Sequence, residues 1–182
     1  MERKVQAMRS YEERAKDFIK EIFPVIEHVN TPWSVRRQIS LFNAQNHRRV
    51  IVGNGLSRIA LITSDYVIKW DYDEDEIDRI GGCENEMELY TLAEQEGFAY
   101  LFAKITRYRY NDRNFYIMPR IAGIGRNEWN YADNYMTEAE QNWCSDHGLT
   151  DLHCYNYGFR KGRVCIVDYA CREESYSEES EL

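Results

Sequence analysis

The chain lacks any uninterrupted apolar run of the ~20 residues needed to cross a bilayer, so no membrane-spanning helix is expected. Its first residues, Met1 to Gln6, are charged and lead into no signal-type apolar segment, and nothing in them points to secretion. A basic stripe is also missing. The 31 acidic and 23 basic residues give a net charge of −8, which disfavours sequence-independent nucleic-acid binding. Five of the acids (Glu173, Glu174, Glu178, Glu179, Glu181) fall in the last ten residues, and the remainder carries 26 acids against 23 bases, so the body is only mildly acidic. No C-x-x-C pair exists among the five cysteines at 83, 144, 154, 165 and 171. An odd, scattered set reads as reduced thiols of a cytosol-like compartment rather than a disulfide framework. Cys144, His147, His153 and Cys154 can be assembled into a zinc set, but adjacent His153-Cys154 is poor ligand spacing, and buried or bystander thiols are the preferred reading. There is no internal repeat.

What is present is the composition of a folded protein, 43% hydrophobic and 14% aromatic with 14 tyrosines, at a length most simply read as one domain. Val5, Met8, Tyr11, Ala15, Phe18, Ile19, Ile22, Phe23 and Ile26 form a helical stripe within 3–29, bent or interrupted at Pro24. Thr31-Pro32 reads as an N-cap and a proline at N1, opening a second helix to about Asn46. The two helices suit the back of a sheet or, second, a partner-binding arm. From Val50 the pattern turns to strands at 49–53, 58–63 and 66–70, separated by Gly53-Asn54-Gly55 and Ser64-Asp65. Residues 83–96 read as a helix ended by Gly97, with Met87, Tyr90 and also Leu89 and Ala93 as its apolar side. Strands at 100–110 and 114–120 flank a turn at Asn111-Asp112. Thr137-Glu-Ala-Glu140 is a capping-box sequence whose helix ends near His147-Gly148, and a later hairpin has Lys161-Gly162 at its tip. Residues 172–182, alternating Ser, Glu and Tyr, have no buriable pattern and are expected to be disordered.

Five features carry chemistry. Gly53-Asn54-Gly55-Leu56-Ser57-Arg58 can bring backbone N–H groups close to a phosphate, although a two-glycine hairpin turn reads the same way. Lys69, in Val67-Ile-Lys-Trp70, interrupts an apolar strand and needs a partner if buried; at a sheet edge it would simply face water. Glu86 is the chosen partner, with Glu84 and Glu88 as competitors and a solvated acidic face as the plain alternative. Asp151 and Asn156 stand five residues apart, a spacing that also suits a capped turn after a helix. Asp168 closes the run Val-Cys-Ile-Val, where a carboxylate is a poor strand residue unless Mg²⁺ or a strand end accounts for it.

In that order the five features resemble the protein-kinase-like superfamily over about residues 48–170. Lys69 resembles the strand lysine of V-A-I-K, Asp151 and Asn156 the catalytic-loop pair D-x-x-x-x-N, and Asp168 the Asp of D-F-G, here Asp-Tyr-Ala. The resemblance implies an α+β, protein-kinase-like fold with an antiparallel-sheet N-lobe, a strongly truncated C-lobe and an N-terminal helical extension. The corresponding segments are 1–47 (extension), 48–120 (N-lobe), 121–171 (minimal C-lobe) and 172–182 (acidic tail). It implies ATP and Mg²⁺ as cofactors, with Gly53, Asn54, Gly55, Ser57 and Lys69 on the nucleotide. Asn156 and Asp168 would be on the metal, Asp151 at the acceptor hydroxyl, Glu86 beside Lys69, and His153 where a phosphate-contacting lysine often stands. Arg58 replaces the third glycine, and Leu149-Thr150-Asp151 lacks the His and Arg of H-R-D. No A-P-E segment follows Asp168, and the helices that dock protein substrates are expected to be absent.

The implied activity is an ATP- and Mg-dependent phosphotransferase acting on protein hydroxyls or on itself. The alternative is a catalytically weak or inactive kinase-like binding module that interferes with a host protein. A small-molecule kinase is a lesser reading, resting on Asp151-Leu-His-x-x-Asn156, similar to aminoglycoside and choline kinases. Compact kinase-like proteins of this sort resemble those of phages, which implies a cytoplasmic setting in a host cell and either a protein substrate or a host protein target.

Overall fold

The N-terminal apolar stripe forms a helix, α1 (Tyr11–Ile26), that begins later than its spacing predicted. Ser10 is the reason: its side chain accepts from the Glu13 N–H while the Glu13 carboxylate accepts from the Ser10 N–H, a reciprocal capping box. The computed structural model describes residues 9–29, 31–54, 57–72, 82–123, 131–149 and 152–169. Val5, Met8 and the acidic tail at 172–182 lie outside the described residues. Pro24 sits inside the last turn of α1 without ending it. Thr31 caps α2 (Pro32–Asn46), with proline in the first turn as expected.

The chain forms two compact units rather than one: Met1–Gly55, Ile59–Tyr72 and Thr106–Arg120 make the first, and Leu56–Arg58, Asp73–Ile105 and Ile121–Leu182 the second. They differ from the sequential segments 1–47, 48–120 and 121–171. The helical extension belongs with the sheet, while the helix over 83–96 belongs with the later loops.

The first unit is α+β. Its strands β1 (Ile51–Asn54), β2 (Arg58–Ile62, with Arg58 itself grouped with the second unit), β3 (Tyr66–Asp71), β4 (Thr106–Tyr110) and β5 (Arg113–Pro119) form one sheet in the order β1-β2-β3-β5-β4. The pairs β1–β2, β3–β5 and β4–β5 are antiparallel. Period-two alternation sends Ile59, Leu61, Tyr66, Ile68, Trp70, Phe115 and Ile117 to one face. There they meet Phe18, Ile19, Ile22, Phe23 and Ile26 of α1 and Val35, Ile39 and Phe42 of α2. Burying a side chain of this size contributes about 1.5–3 kcal/mol, which is why the helices stay on the sheet. Arg14 ties α1 to the β2–β3 turn through Asp65 at 2.9 Å. Arg113 lies over the Phe23 ring at 5.8 Å, close to the C-terminal carbonyls of α1. The β4–β5 turn uses Asn111 and Asp112, both at positive φ (46° and 60°), in the two-residue form that suits strand twist. Strand β4 is shorter than expected because Ala99–Leu101 forms a 3₁₀ turn.

The second unit holds α3 (Cys83–Glu96), α4 (Glu138–Asp146) and a three-stranded sheet, β6 (Ala122–Gly123), β7 (Tyr157–Arg160) and β8 (Arg163–Ile166), in that order. Gly97, at φ 84°, ends α3. Thr137 and Glu140 form the expected box on α4. Lys161 and Gly162 turn the β7–β8 hairpin at φ 53° and 79°. The buried face of α3 is Cys83, Glu86, Leu89 and Ala93; Leu89 and Ala93 are buried as expected, while Met87 and Tyr90 are only half-buried. Gly158 is required by packing: a Cβ there would lie 2.3 Å from the Ala122 carbonyl oxygen across the β6–β7 pair. Among the described residues no helix is long and apolar enough to cross a membrane.

Candidate functional site

Lys69 lies on the third strand and is 7% exposed. Because Ile68 and Trp70 face the helices, Lys69 and Val67 lie on the opposite face of the sheet, together with Tyr116, the register partner of Lys69. Gly53, paired with Ala60, lies on that same face of β1. A Cβ at Gly53 would meet only ordinary contacts, at 3.5 Å or beyond, so the first unit's own packing does not demand glycine there. Asn54 ends β1 opposite Ile59. Gly55 lies outside the described residues, as does Asp151.

Glu86, Asn156 and Asp168 belong to the second unit, and Arg58 links two of them. Its guanidinium donates through Nη1 to Glu86 Oε1 at 3.2 Å and through Nη2 to Asp168 Oδ1 at 2.9 Å. The positions joined are 28 and 110 residues apart in sequence. A planar fork of donors suits this double contact better than a lysine ammonium would. Helix α3 places Glu86 with no exposure, whereas Glu84 is half-buried and Glu88 exposed, so the three acids do not share one environment. Full burial of a carboxylate demands hydrogen bonds. Besides Arg58, the Tyr169 N–H donates to Glu86 Oε1 at 3.3 Å.

Asp168 follows the end of β8 and is held from below by backbone. The N–H groups of Val167 and Asp168 both donate to the Asn156 carbonyl, at 2.7 and 3.3 Å, which fixes Asn156 beside Asp168. Asn156 is 9% exposed, while the Asp168 side chain is 40% exposed. Tyr169 anchors the same segment: its hydroxyl donates to the Ala103 carbonyl at 2.8 Å, and its ring meets Phe102 edge-on at 5.0 Å. Burial, then the neighbouring Glu86 charge, pushes the Tyr169 hydroxyl well above the usual tyrosine range. Residues 102–103 in turn pair with Ile166, the Ala103 N–H donating to its carbonyl at 2.8 Å.

His153 stands in the turn before Asn156. Its Nδ1 accepts from the Tyr155 N–H at 3.2 Å, its carbonyl accepts from the Asn156 N–H at 2.9 Å, and its backbone bridges to Tyr131. Ser57 is fully buried in the short 56–58 segment. His147 stacks on Trp143 at 4.1 Å between ring centroids, with Nδ1 against the Trp143 carbonyl. Among the described residues no three His, Cys, Asp or Glu side chains are grouped to hold a metal ion. Cys83, Cys144, Cys154 and Cys165 are all buried free thiols.

Two site residues carry more than their sequence signal suggested. Arg58 stood out only as the departure from a third glycine, and Tyr169 only as the residue after Asp168. The available cue was a single cation three residues after Gly55, at the start of the otherwise apolar β2. No protein-family model, no curated protein and no solved structure matches this chain.

Proposed function

We propose that the protein is a phosphotransferase of protein-kinase-like type, moving the γ-phosphoryl group of Mg-ATP to a hydroxyl of a protein or of itself. The observation that carries this reading is the convergence of Glu86, Asn156 and Asp168 in one unit, held by Arg58 and by the Asn156 carbonyl. Lys69, buried on the third strand and on the face away from the helices, is the second support. The donor chemistry fits the cofactor: a partly exposed carboxylate and an adjacent amide are hard oxygen donors of the kind Mg²⁺ prefers. Asn156 and Asp168 would hold the metal, and Lys69 the phosphates. Glu86 is the acid assigned to the lysine, His153 a phosphate contact, and Asp151 the residue at the acceptor hydroxyl. Bound Mg-ATP supplies the transferable phosphoryl group; the protein supplies positioning and charge neutralisation, which together account for most of this kind of catalysis.

A specific feature favours a second reading, a kinase-like binding module with little or no turnover. Arg58 already places a cation 2.9 Å from Asp168 Oδ1, so the carboxylate assigned to magnesium is partly neutralised by the protein itself.

Incubation of wild type and Asp168→Asn with Mg²⁺ and γ-labelled ATP, with and without cell lysate, separates the two. Label on the protein or on a lysate component, reduced at least about a thousandfold in the variant, is the result expected of the enzyme. No label from either protein, with Mg-ATP still bound by the wild type, assigns the binding module. Equal labelling by both removes Asp168 from the metal site.

A further inference from the structure

One guanidinium serves two carboxylates in the second unit. Arg58 Nη1 donates to Glu86 Oε1 at 3.2 Å, and Nη2 donates to Asp168 Oδ1 at 2.9 Å. The two acids use different nitrogens, so one bond can open while the other stays closed.

The two ends differ in burial. Glu86 has no exposure, and its Oε1 also accepts from the Tyr169 N–H at 3.3 Å. The Arg58 side chain is 13% exposed and that of Asp168 40%. Water therefore reaches the Asp168 carboxylate and not the Glu86 one. Parting Arg58 from Glu86 would take a cation from a buried charge, which is costly. Parting it from Asp168 leaves a carboxylate that water can hydrate. The exchangeable bond is the one to Asp168.

The backbone under Asp168 does not depend on that bond. The N–H groups of Val167 and Asp168 donate to the Asn156 carbonyl, and the Tyr169 hydroxyl donates to the Ala103 carbonyl. Asp168 thus keeps its place when Nη2 lets go. Two carboxylates and one guanidinium sum to a charge of −1, so these three groups still attract a cation. A hard divalent ion is drawn to the exposed carboxylate oxygens and competes there with Nη2.

We propose that Arg58 is a built-in competitor of the divalent cation at Asp168. Its guanidinium neutralises Asp168 in the metal-free protein and gives up that bond on metal binding, while keeping its bond to Glu86. Arg58 is a positioning residue: it sets the affinity of the metal site without being a ligand. The inference rests on the assignment of Asp168 to the metal in the phosphotransferase reading, but not on turnover.

The test is Mn²⁺ binding to the full-length protein without nucleotide, the free ion being counted by electron paramagnetic resonance. Asp168→Asn is expected to abolish binding. Arg58→Lys keeps a cation for Glu86 but loses the second nitrogen, and is expected to tighten Mn²⁺ binding about tenfold. A purely structural staple predicts the reverse, because loosening it would weaken the metal. Should Arg58→Lys fail to fold, the wild type decides alone. Nitrogen NMR of its Arg58 side chain is expected to show slow guanidinium rotation without metal and faster rotation with Mg²⁺, and no change with Mg²⁺ in Asp168→Asn. Absence of any Asp168-dependent Mn²⁺ binding would overturn the metal assignment and the inference with it. Asp168-dependent binding that is unchanged or weaker in Arg58→Lys, or Arg58 rotation indifferent to Mg²⁺ in a wild type that binds Mn²⁺, would overturn the inference alone.

Discussion

The first unit buries aliphatic and aromatic side chains almost exclusively, and Lys69 is its one buried charged residue among those described. In the second unit Ser57, Glu86 and Asn156 are all buried. A sheet face covered by two helices needs no polar group inside, and each one costs desolvation unless it is hydrogen-bonded. The second unit instead aligns backbone donors and a guanidinium around Glu86, Asn156 and the start of the Asp168-Tyr169 segment. Buried polar groups thus mark where the chain departs from simple packing, while Asp168, beside them, keeps a side chain 40% exposed.

That contrast is open to direct attack. The largest expected effect is in the first unit: Phe23→Ala, which removes edge-on contacts with Tyr110 at 5.3 Å and Phe115 at 6.3 Å, should cost about 3–5 kcal/mol of stability. Urea unfolding followed by tryptophan fluorescence measures it. A loss below about 1 kcal/mol would mean that the helix–sheet core is not the main support of this unit. Lys69→Met should do the opposite, leaving the unfolding midpoint close to wild type while lowering phosphoryl transfer about a hundredfold or more, roughly 3 kcal/mol. Wild-type rates in that variant would remove Lys69 from the phosphate site.

The smallest effect is a pH dependence of the second unit. Burial, with Asp133 and Glu140 nearby, pushes the Cys144 thiol from its ordinary 9.0 up to about 12. A raised folded-state value means that its contribution to stability is complete below pH 9 and is lost as pH climbs from 9 towards 12. Tyr169 is raised as well, so its contribution fades in the same alkaline direction. Stability is therefore expected to fall between pH 9 and 11, and Cys144→Ala should flatten that slope. Identical slopes in the two proteins would show that the thiol does not titrate with unfolding.

Much of the local structure was legible in the residues. The start of α2 at Thr31-Pro32, the box on α4, the stop at Gly97 and the turns at Asn111-Asp112 and Lys161-Gly162 all stand where short-range chemistry puts them. The late start of α1 was encoded too, in Ser10 and Glu13, but a strong apolar periodicity running back to Val5 masked it. On α3, Leu89 and Ala93 are buried as expected, while Met87 and Tyr90 are only half-buried because Cys83 and Glu86 complete the buried stripe.

The sequence by itself determined where most helices and strands lie and the antiparallel character of the hairpins. Caps, positive-φ turns and side-chain periodicity all act between residues a few positions apart. Only the tertiary structure decided which of Glu84, Glu86 and Glu88 is buried, and that one arginine after a glycine turn grips carboxylates 28 and 110 residues away. It also decided that α3 groups with the later loops rather than with the strands that precede it. Those outcomes depend on which surfaces exclude water together, and that is set by long-range packing rather than by any pattern along the chain.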